Sequence, residues 1–304
     1  WSYLLGKYIM TYRLGIDLGG TKIEAILIDE HFQVMKRERV PTNREEGYEA
    51  ILSRIVKLAK SIIKDMPDIE SPIGICTPGT IESETGLLKN SNTVCLIGKP
   101  IQKDMEKELG IPVVMENDAN CFALAEATIG AAKKYNVVFG VILGTGCGGG
   151  ITMLRNIHRG ANRIAGEWGH HCLVPGGREC YCGNRGCTEA YISGTALEKE
   201  WFELSGERSR VTDIIDSGKY KNHPEWKENF LKNFGRGLAN VIDILDPHAI
   251  VLGGGLSRID FLYTEGKESV YKETFSKIVR TPILKNKLGD SAGVFGAAML
   301  ADIY

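Results

Sequence analysis

Between Gly169 and Ala190 the chain reads GHHCLVPGGRECYCGNRGCTEA, a stretch that holds four cysteines and two histidines. Cys180, Cys182 and Cys187 follow a C-x-C-x4-C spacing. Gly183 and Gly186 allow the chain to fold tightly there, and His170 lies ten residues before Cys180. Three cysteines and a histidine form an accepted structural zinc set, because soft thiolates favour zinc over magnesium or calcium. The plain alternative is three buried cysteines beside a polar histidine, although three cysteines in eight residues among glycines make a poor core.

Three glycine-rich turns are the next candidates. They are Gly19, Gly20, Thr21 and Lys22 in LGIDLGGTK; Gly144, Thr145 and Gly146 in VILGTGCGGG; and Gly253, Gly254 and Gly255 in IVLGGGLS. Glycine lets backbone N–H groups approach an anion with no Cβ in the way, and consecutive N–H groups make an anion nest. A plain tight turn explains any one of them; three together favour a nucleotide triphosphate site. GIDLGGTK approaches the Walker pattern, but that loop ends Gly-Lys-Ser/Thr and opens a helix. Here Thr21 precedes Lys22 and a strand-like run follows. Gly144, Gly146 and Gly149 formally match G-x-G-x-x-G, but again a strand-like run follows, so dinucleotide binding is demoted. In VVMENDANCFALAEA, Asp118 stands where a helix N-cap is expected. The functional alternative is a general base that takes the proton of a substrate hydroxyl attacking phosphorus.

The elements that would position these groups alternate. Residues 14–17, 23–28 and 34–40 read as a three-stranded meander. Residues 45–64, with Ile51, Ile55, Leu58 and Ile62 at helical spacing, read as a helix. A strand over 72–76, a helix over 101–109, a strand over 113–116 and a helix over 119–129 follow. Residues 137–143 open a second strand set, and a long helix over 230–245 leads to a buried strand over 248–252. Residues 205–225 read as surface connections. The fold class is α/β. LGIDLGGTKIEAILID and FGVILGTGCGGGITML are an internal repeat that aligns Gly15 with Gly140, Leu18 with Leu143 and Gly19 with Gly144. Two related halves facing a cleft are expected.

The bounds agree with this. The 304 residues suffice for two domains, with 43% hydrophobic and 25% charged residues. A net charge of −1 gives no footprint for nucleic acid or an anionic membrane surface, and no apolar run is long enough to span a bilayer. Cys76, Cys95, Cys121, Cys147 and Cys172 are scattered singly, so no disulfide framework is indicated and a cytoplasmic location is expected. Met10 is read as the natural start, and the nine residues ahead of it as an extension.

In their order, DLGGTK, NDANC, LGTGCGGG, GEWGHH, CYCGNRGCTE and VLGGGLS resemble the ROK family of sugar kinases from Met10 to the end of the chain. The resemblance implies an actin/hexokinase-type architecture: two RNase H-like domains around an ATP and sugar cleft, with a zinc-bound loop. The expected division is residues 10–118 with 292–304, and 119–291. It further implies transfer of the γ-phosphoryl of Mg-ATP to a hexose. By the family pattern, Asp118 is the base and Asp17 the carboxylate near Mg²⁺. Gly19, Gly20, Thr21 and Lys22 form the first phosphate loop; Gly144, Thr145 and Gly146 form the second; Gly253, Gly254 and Gly255 form the nucleotide turn. Asn117, Glu167, His170 and Glu189 meet sugar hydroxyls, with Gly79 and Asn92 on sugar-side loops. The family pattern also assigns structural Zn²⁺ to His170, Cys180, Cys182 and Cys187, with His170 binding zinc through one ring nitrogen and a sugar hydroxyl through the other. His171 is read as structural or solvent-facing.

LKNSNTVCLIGKPI and GDSAGVFGAAML look most like the fructokinase or mannokinase branch of the family, and NDANCFALAEA is equally similar to N-acetylglucosamine kinases; fructose is expected first, with mannose as a side substrate. N-acetylglucosamine or N-acetylmannosamine kinase and glucokinase are the alternatives. A non-catalytic sugar sensor is the alternative of another class. ROK repressors carry a helix-turn-helix segment ahead of the sugar domain; DLGGTK begins at Asp17, so none is expected. A homodimer is expected.

Overall fold

Arg13–Leu18 (β1), Lys22–Ile28 (β2) and Val34–Pro41 (β3) form the antiparallel meander expected from the sequence. The computed structural model describes residues 11–64, 69 and 72–304. Met10 and the stretch before it lie outside the described residues. Tyr48–Ile63 (α1) lays Ile51, Ile55, Leu58 and Ile62 on the core. Ile73–Thr77 (β4) follows, then a small hairpin of Thr80–Ile81 (β5) and Leu88–Lys89 (β6). Ile101–Leu109 (α2) and Val113–Asn117 (β7) complete the first sheet, in the order β3-β2-β1-β4-β7. Strands β1, β2 and β4 are almost continuously buried, whereas β3 is an edge of alternating exposure whose charged MKRER run discourages pairing with another chain.

Asp118–Thr128 (α3) follows β7. The second sheet takes Val137–Leu143 (β8), Cys147–Met153 (β9), Asn156–Ile157 (β10), Ala249–Gly253 (β11) and Ile283–Lys285 (β12) in the order β10-β9-β8-β11-β12. Its pattern repeats that of the first: an antiparallel meander extended by two parallel strands. Between β10 and β12 come Glu189–Ile192 (α4), Gly194–Ser205 (α5), Val211–Asp216 (α6), Pro224–Leu245 (α7) and Glu265–Glu273 (α8). Ala292–Met299 (α9) ends the series.

The chain divides into two units: the described residues through Cys121 with Gly293–Tyr304, and Phe122–Ala292. In the first, α9 lies so close to the sheet that a Cβ on Gly15 would meet the Ala298 nitrogen at 2.4 Å, and one on Gly74 the Ala297 oxygen at 1.8 Å. In the second, Gly140 meets the Ala123 Cβ of α3 at 2.7 Å. The aligned pair Gly15 and Gly140 therefore serves one purpose in both sheets: it admits a helix against the strand. The second core is aromatic, with Trp201, Trp226, Phe230 and Phe234 fully buried.

Two expectations are corrected. Residues 205–225 are not all surface: Val211 and Ile214 bury one side of α6 in the second core. The long helix α7 begins at Pro224, well before residue 230, because proline is suited to the first turn. Among the described residues no helix is long and apolar enough to cross a membrane.

Candidate active site

In the first unit the carboxylates collect at the carboxyl ends of parallel strands. Asp17, next to last in β1, pairs with Glu24 across β2 and with Cys76 across β4. Its carboxyl is raised to about 6, first by burial, then by the charge of Asp118; the Cys76 thiol works against this, Glu24 adds to it, and Lys22 opposes it. The Gly19–Lys22 turn closes on itself, with Gly19 N–H donating to the Lys22 carbonyl at 3.0 Å. Thr42 tethers it, its hydroxyl donating to the Gly19 carbonyl at 2.7 Å and its N–H to the Thr21 carbonyl at 2.9 Å. A Cβ on Gly20 would lie 3.7 Å from Asn92 Oδ1, so Asn92 stands beside the first glycine turn.

Asp118 is the first residue of α3, one step inside the cap position expected for it. Asn117 holds that position: its Oδ1 accepts from the Ala119 N–H at 2.9 Å, the bond an N-cap makes. Asp118 Oδ1 shares the same N–H at 2.8 Å. Burial raises the Asp118 carboxyl, and the Ala119 N–H partly offsets it. Asn117 Nδ2 donates to the Gly79 carbonyl at 3.4 Å, which joins these two predicted residues. Gly79 has φ 102°, and a Cβ there would meet the Lys89 oxygen at 2.5 Å, so only glycine fits.

In the second unit the other two glycine turns lie side by side at the ends of parallel strands β8 and β11. A Cβ on Gly254 (φ 77°) would sit 2.3 Å from the Leu143 carbonyl oxygen, next to Gly144, and Gly253 packs on the Phe122 ring. The Gly144–Gly146 turn backs onto the start of α5: Gly194 N–H donates to the Gly144 carbonyl at 2.7 Å and the Thr195 hydroxyl to the Thr145 carbonyl at 3.0 Å. Ser193 caps that helix through Ala196 N–H at 3.2 Å. Glu189 reaches the same turn, its Oε2 accepting from Cys147 N–H at 2.8 Å. A predicted sugar ligand is thus fixed against a predicted phosphate loop.

The Glu167–Glu189 segment lies directly on β9. Gly149 admits the Gly166 carbonyl, Gly169 faces the Cys147 carbonyl, and Trp168 Nε1 donates to the Gly148 carbonyl at 3.0 Å. The CGGG run at Cys147–Gly150 therefore serves close backbone approach. His170, Cys180, Cys182 and Cys187 come together with their ligand atoms all within 4.8 Å of one another, a set able to hold a metal ion. His170 Nδ1 lies 3.6 Å from Cys180 Sγ, and Cys182 Sγ lies 3.7 Å from Cys187 Sγ. The other nitrogen, Nε2, is 3.1 Å from the Tyr181 hydroxyl. His171 is structural: Nδ1 bonds the Trp168 carbonyl at 2.5 Å, and Nε2 faces Asn240 Nδ2 at 3.1 Å. Exposed Glu167 stands at the start of the segment.

The sequence reading missed Thr42, Tyr181 and Glu116. Glu116 is buried and accepts from Asn117 N–H at 2.9 Å and Asn120 Nδ2 at 3.0 Å, which stiffens the strand-to-helix junction beneath Asp118. Its place in the same ENDAN run was the available signal. Thr42 carried none, being distant in sequence from the turn it holds.

The profile of the ROK family matches residues 13–303. The chain belongs to the ROK family. The N-acetyl-D-glucosamine kinase of Haemophilus influenzae is 38% identical over 303 residues, covering 94% of this chain and 98% of the relative. The ROK hexokinase structure from Thermus thermophilus matches with a TM-score of 0.87 at 30% identity, covering 96% of this chain and 98% of that one. The ROK glucokinase structure from Streptomyces griseus, in complex with glucose and AMPPNP, matches with a TM-score of 0.77 at 29% identity, covering 96% and 99%.

The expectation of a fructokinase with mannose activity is corrected by this full-length similarity to N-acetyl-D-glucosamine kinase. Structure explains why one of the two segments misled. GDSAGVFGAAML runs into α9, where Gly296 meets the Cys121 carbonyl and Ala297 and Ala298 meet Gly74 and Gly15. Those small residues answer to packing on the sheet of this ROK protein, not to a sugar.

Proposed function

We propose that the chain is an N-acetylglucosamine kinase that transfers the γ-phosphoryl of ATP to a sugar hydroxyl. The observation that carries this reading is the 38% identity to N-acetyl-D-glucosamine kinase across nearly both whole chains. A ROK glucokinase bound to AMPPNP, an ATP analogue, supports ATP as donor. The chain is a phosphotransferase with an alcohol group as acceptor. Its eight cysteines are free, which suits a cytoplasmic enzyme.

Asp118 is the general base. As the sugar oxygen bonds to the γ-phosphorus and the bond to ADP breaks, Asp118 takes the hydroxyl proton. A raised carboxyl is a better base near neutral pH than an ordinary one. Asn117 Oδ1 and Asp118 Oδ1 share the Ala119 N–H, so the proton goes to the second Asp118 oxygen, Oδ2. Asp17 is the carboxylate for Mg²⁺, which would neutralise phosphate charge. The turns at Gly19–Lys22, Gly144–Gly146 and Gly253–Gly255 offer N–H groups to phosphate oxygens, and Asn117, Glu167, His170 and Glu189 take sugar hydroxyls, with Gly79 and Asn92 at the edge of that set.

The cysteine cluster fits zinc. A tetrahedron with Zn–S bonds of about 2.3 Å has edges of about 3.8 Å, close to the 3.6 and 3.7 Å seen between ligand atoms. Burial and neighbouring sulfurs push Cys187 up to about 12, while the Asn184 N–H lowers Cys182; a divalent cation would favour all three thiolates. Four protein ligands leave no open position, so the metal's part is to hold Glu167 and Glu189 in place.

The test is Asp118→Asn. ADP formation with the wild type should depend on added N-acetylglucosamine. In the variant kcat should drop ~10²–10⁴-fold with near-normal melting temperature, since asparagine keeps the shape. Near-wild-type turnover would remove Asp118 from the mechanism.

A further inference from the structure

Resting on that reading, we propose that Glu189 couples the two substrates: its carboxylate ties the bound sugar to the second phosphate turn, so that sugar and ATP strengthen each other's binding. The two oxygens of this side chain have different surroundings. Oε2 accepts from the N–H of Cys147 at 2.8 Å. Cys147 follows the Gly144–Gly146 turn directly and pairs with Leu143 ahead of it. Oε1 has no hydrogen-bond partner among the described residues, and Glu189 is half-buried, so a sugar hydroxyl can donate to it. One side chain therefore grips the turn with one oxygen and offers the other to the sugar.

The turn is held at a second point by the same stretch of chain. Gly194 N–H donates to the Gly144 carbonyl at 2.7 Å, and the Thr195 hydroxyl to the Thr145 carbonyl at 3.0 Å. Both lie at the start of α5, which α4 enters through Ser193, and α4 begins with Glu189. A sugar hydroxyl on Oε1 fixes the Glu189 carboxylate, and with it the Cys147 N–H and the turn. A turn already ordered has less freedom to lose when a triphosphate binds, which is positive coupling. Linkage makes the effect mutual: the nucleotide tightens the sugar by the same factor.

Gly146 provides the probe. A Cβ there would lie 2.7 Å from Glu189 Oε2 and 3.6 Å from its carboxyl carbon, with no other atom within 4 Å. Gly146 is not in the left-handed region, so its backbone accepts alanine. The end of the flexible side chain is what gives way, and Gly146→Ala pushes the carboxylate off the Cys147 N–H. Gly144→Ala is the matched control: it lies in the same turn, its φ is not left-handed either, and a Cβ there meets nothing within 4 Å.

Calorimetry on the zinc-loaded wild type and both variants measures binding of N-acetylglucosamine with and without Mg-AMPPNP. In the wild type the nucleotide analogue should tighten the sugar at least about fivefold. In Gly146→Ala the sugar alone should bind about tenfold more weakly, the scale of a hydrogen bond to a charged group, and the analogue should no longer tighten it. Gly144→Ala should bind the sugar alone as the wild type does. No tightening in the wild type overturns the coupling and needs no variant to fold. Unchanged sugar binding or retained tightening in Gly146→Ala, or equal weakening of the sugar in both variants, also overturns it. Each of these results leaves the kinase reading intact, whereas failure of the wild type to bind N-acetylglucosamine with or without the analogue would overturn both.

Discussion

Asp17 is buried among carboxylates, which makes it a titration probe of the first unit. It keeps its proton to about pH 6, whereas in an unfolded chain it loses it near 3.8. Between those values the folded chain binds more protons than the unfolded one. The stability contributed by protonated Asp17 is therefore complete below the lower value and is lost as pH rises through about 6. Activity runs the other way, because the carboxylate proposed for Mg²⁺ must be ionised. An acid limb near pH 6 is expected in kcat/KM, moving to lower pH as magnesium is raised, since cation and proton compete for one group. A pH–rate profile at two magnesium concentrations checks this; a limb insensitive to magnesium would separate Asp17 from the metal. The choice of Asp17 and Asp118 was legible in the sequence because each sits at a strand end within a short motif. Their electrostatic coupling was not, because it depends on bringing β1 beside β4 and β4 beside β7.

The segment from Glu167 to Glu189 is the element whose local sequence said most and whose long-range role said least. The C-x-C-x4-C spacing pointed to a metal set, and those four side chains do converge. That Glu189 would hold the Gly146–Cys147 turn could not be read, because the two are more than forty residues apart and meet only through the β8–β9 hairpin. Likewise α6 escaped notice: Val211 and Ile214 give a single apolar pair in a polar stretch, too short a pattern to signal burial. If zinc fixes this segment, Cys180→Ser should lose the metal and raise the KM for sugar more than it lowers kcat. The second core, built on Trp201, Trp226, Phe230 and Phe234, should keep the rest folded. Metal analysis alongside sugar and ATP kinetics checks the split; a chelator-resistant, zinc-free wild type with full activity would contradict it.

Across the whole chain, two sheets share one strand order and one way of admitting a helix. That repeat was visible as Gly15 aligned with Gly140, so the fold class was legible; the family was legible from the resemblance of its ordered motifs. The sugar was not. Its identity depends on the space and donors beside one substituent, set by side chains scattered in sequence, whereas the segments compared at the sequence level include one that packs α9. The central claim is that this enzyme prefers an N-acetylated hexosamine. Its most direct test is kcat/KM with ATP for N-acetylglucosamine, N-acetylmannosamine, glucose, mannose and fructose in one assay. N-acetylglucosamine should give the highest value, by at least about tenfold over the unacetylated sugars, the size of one net hydrogen bond. A higher value for fructose or glucose would contradict it.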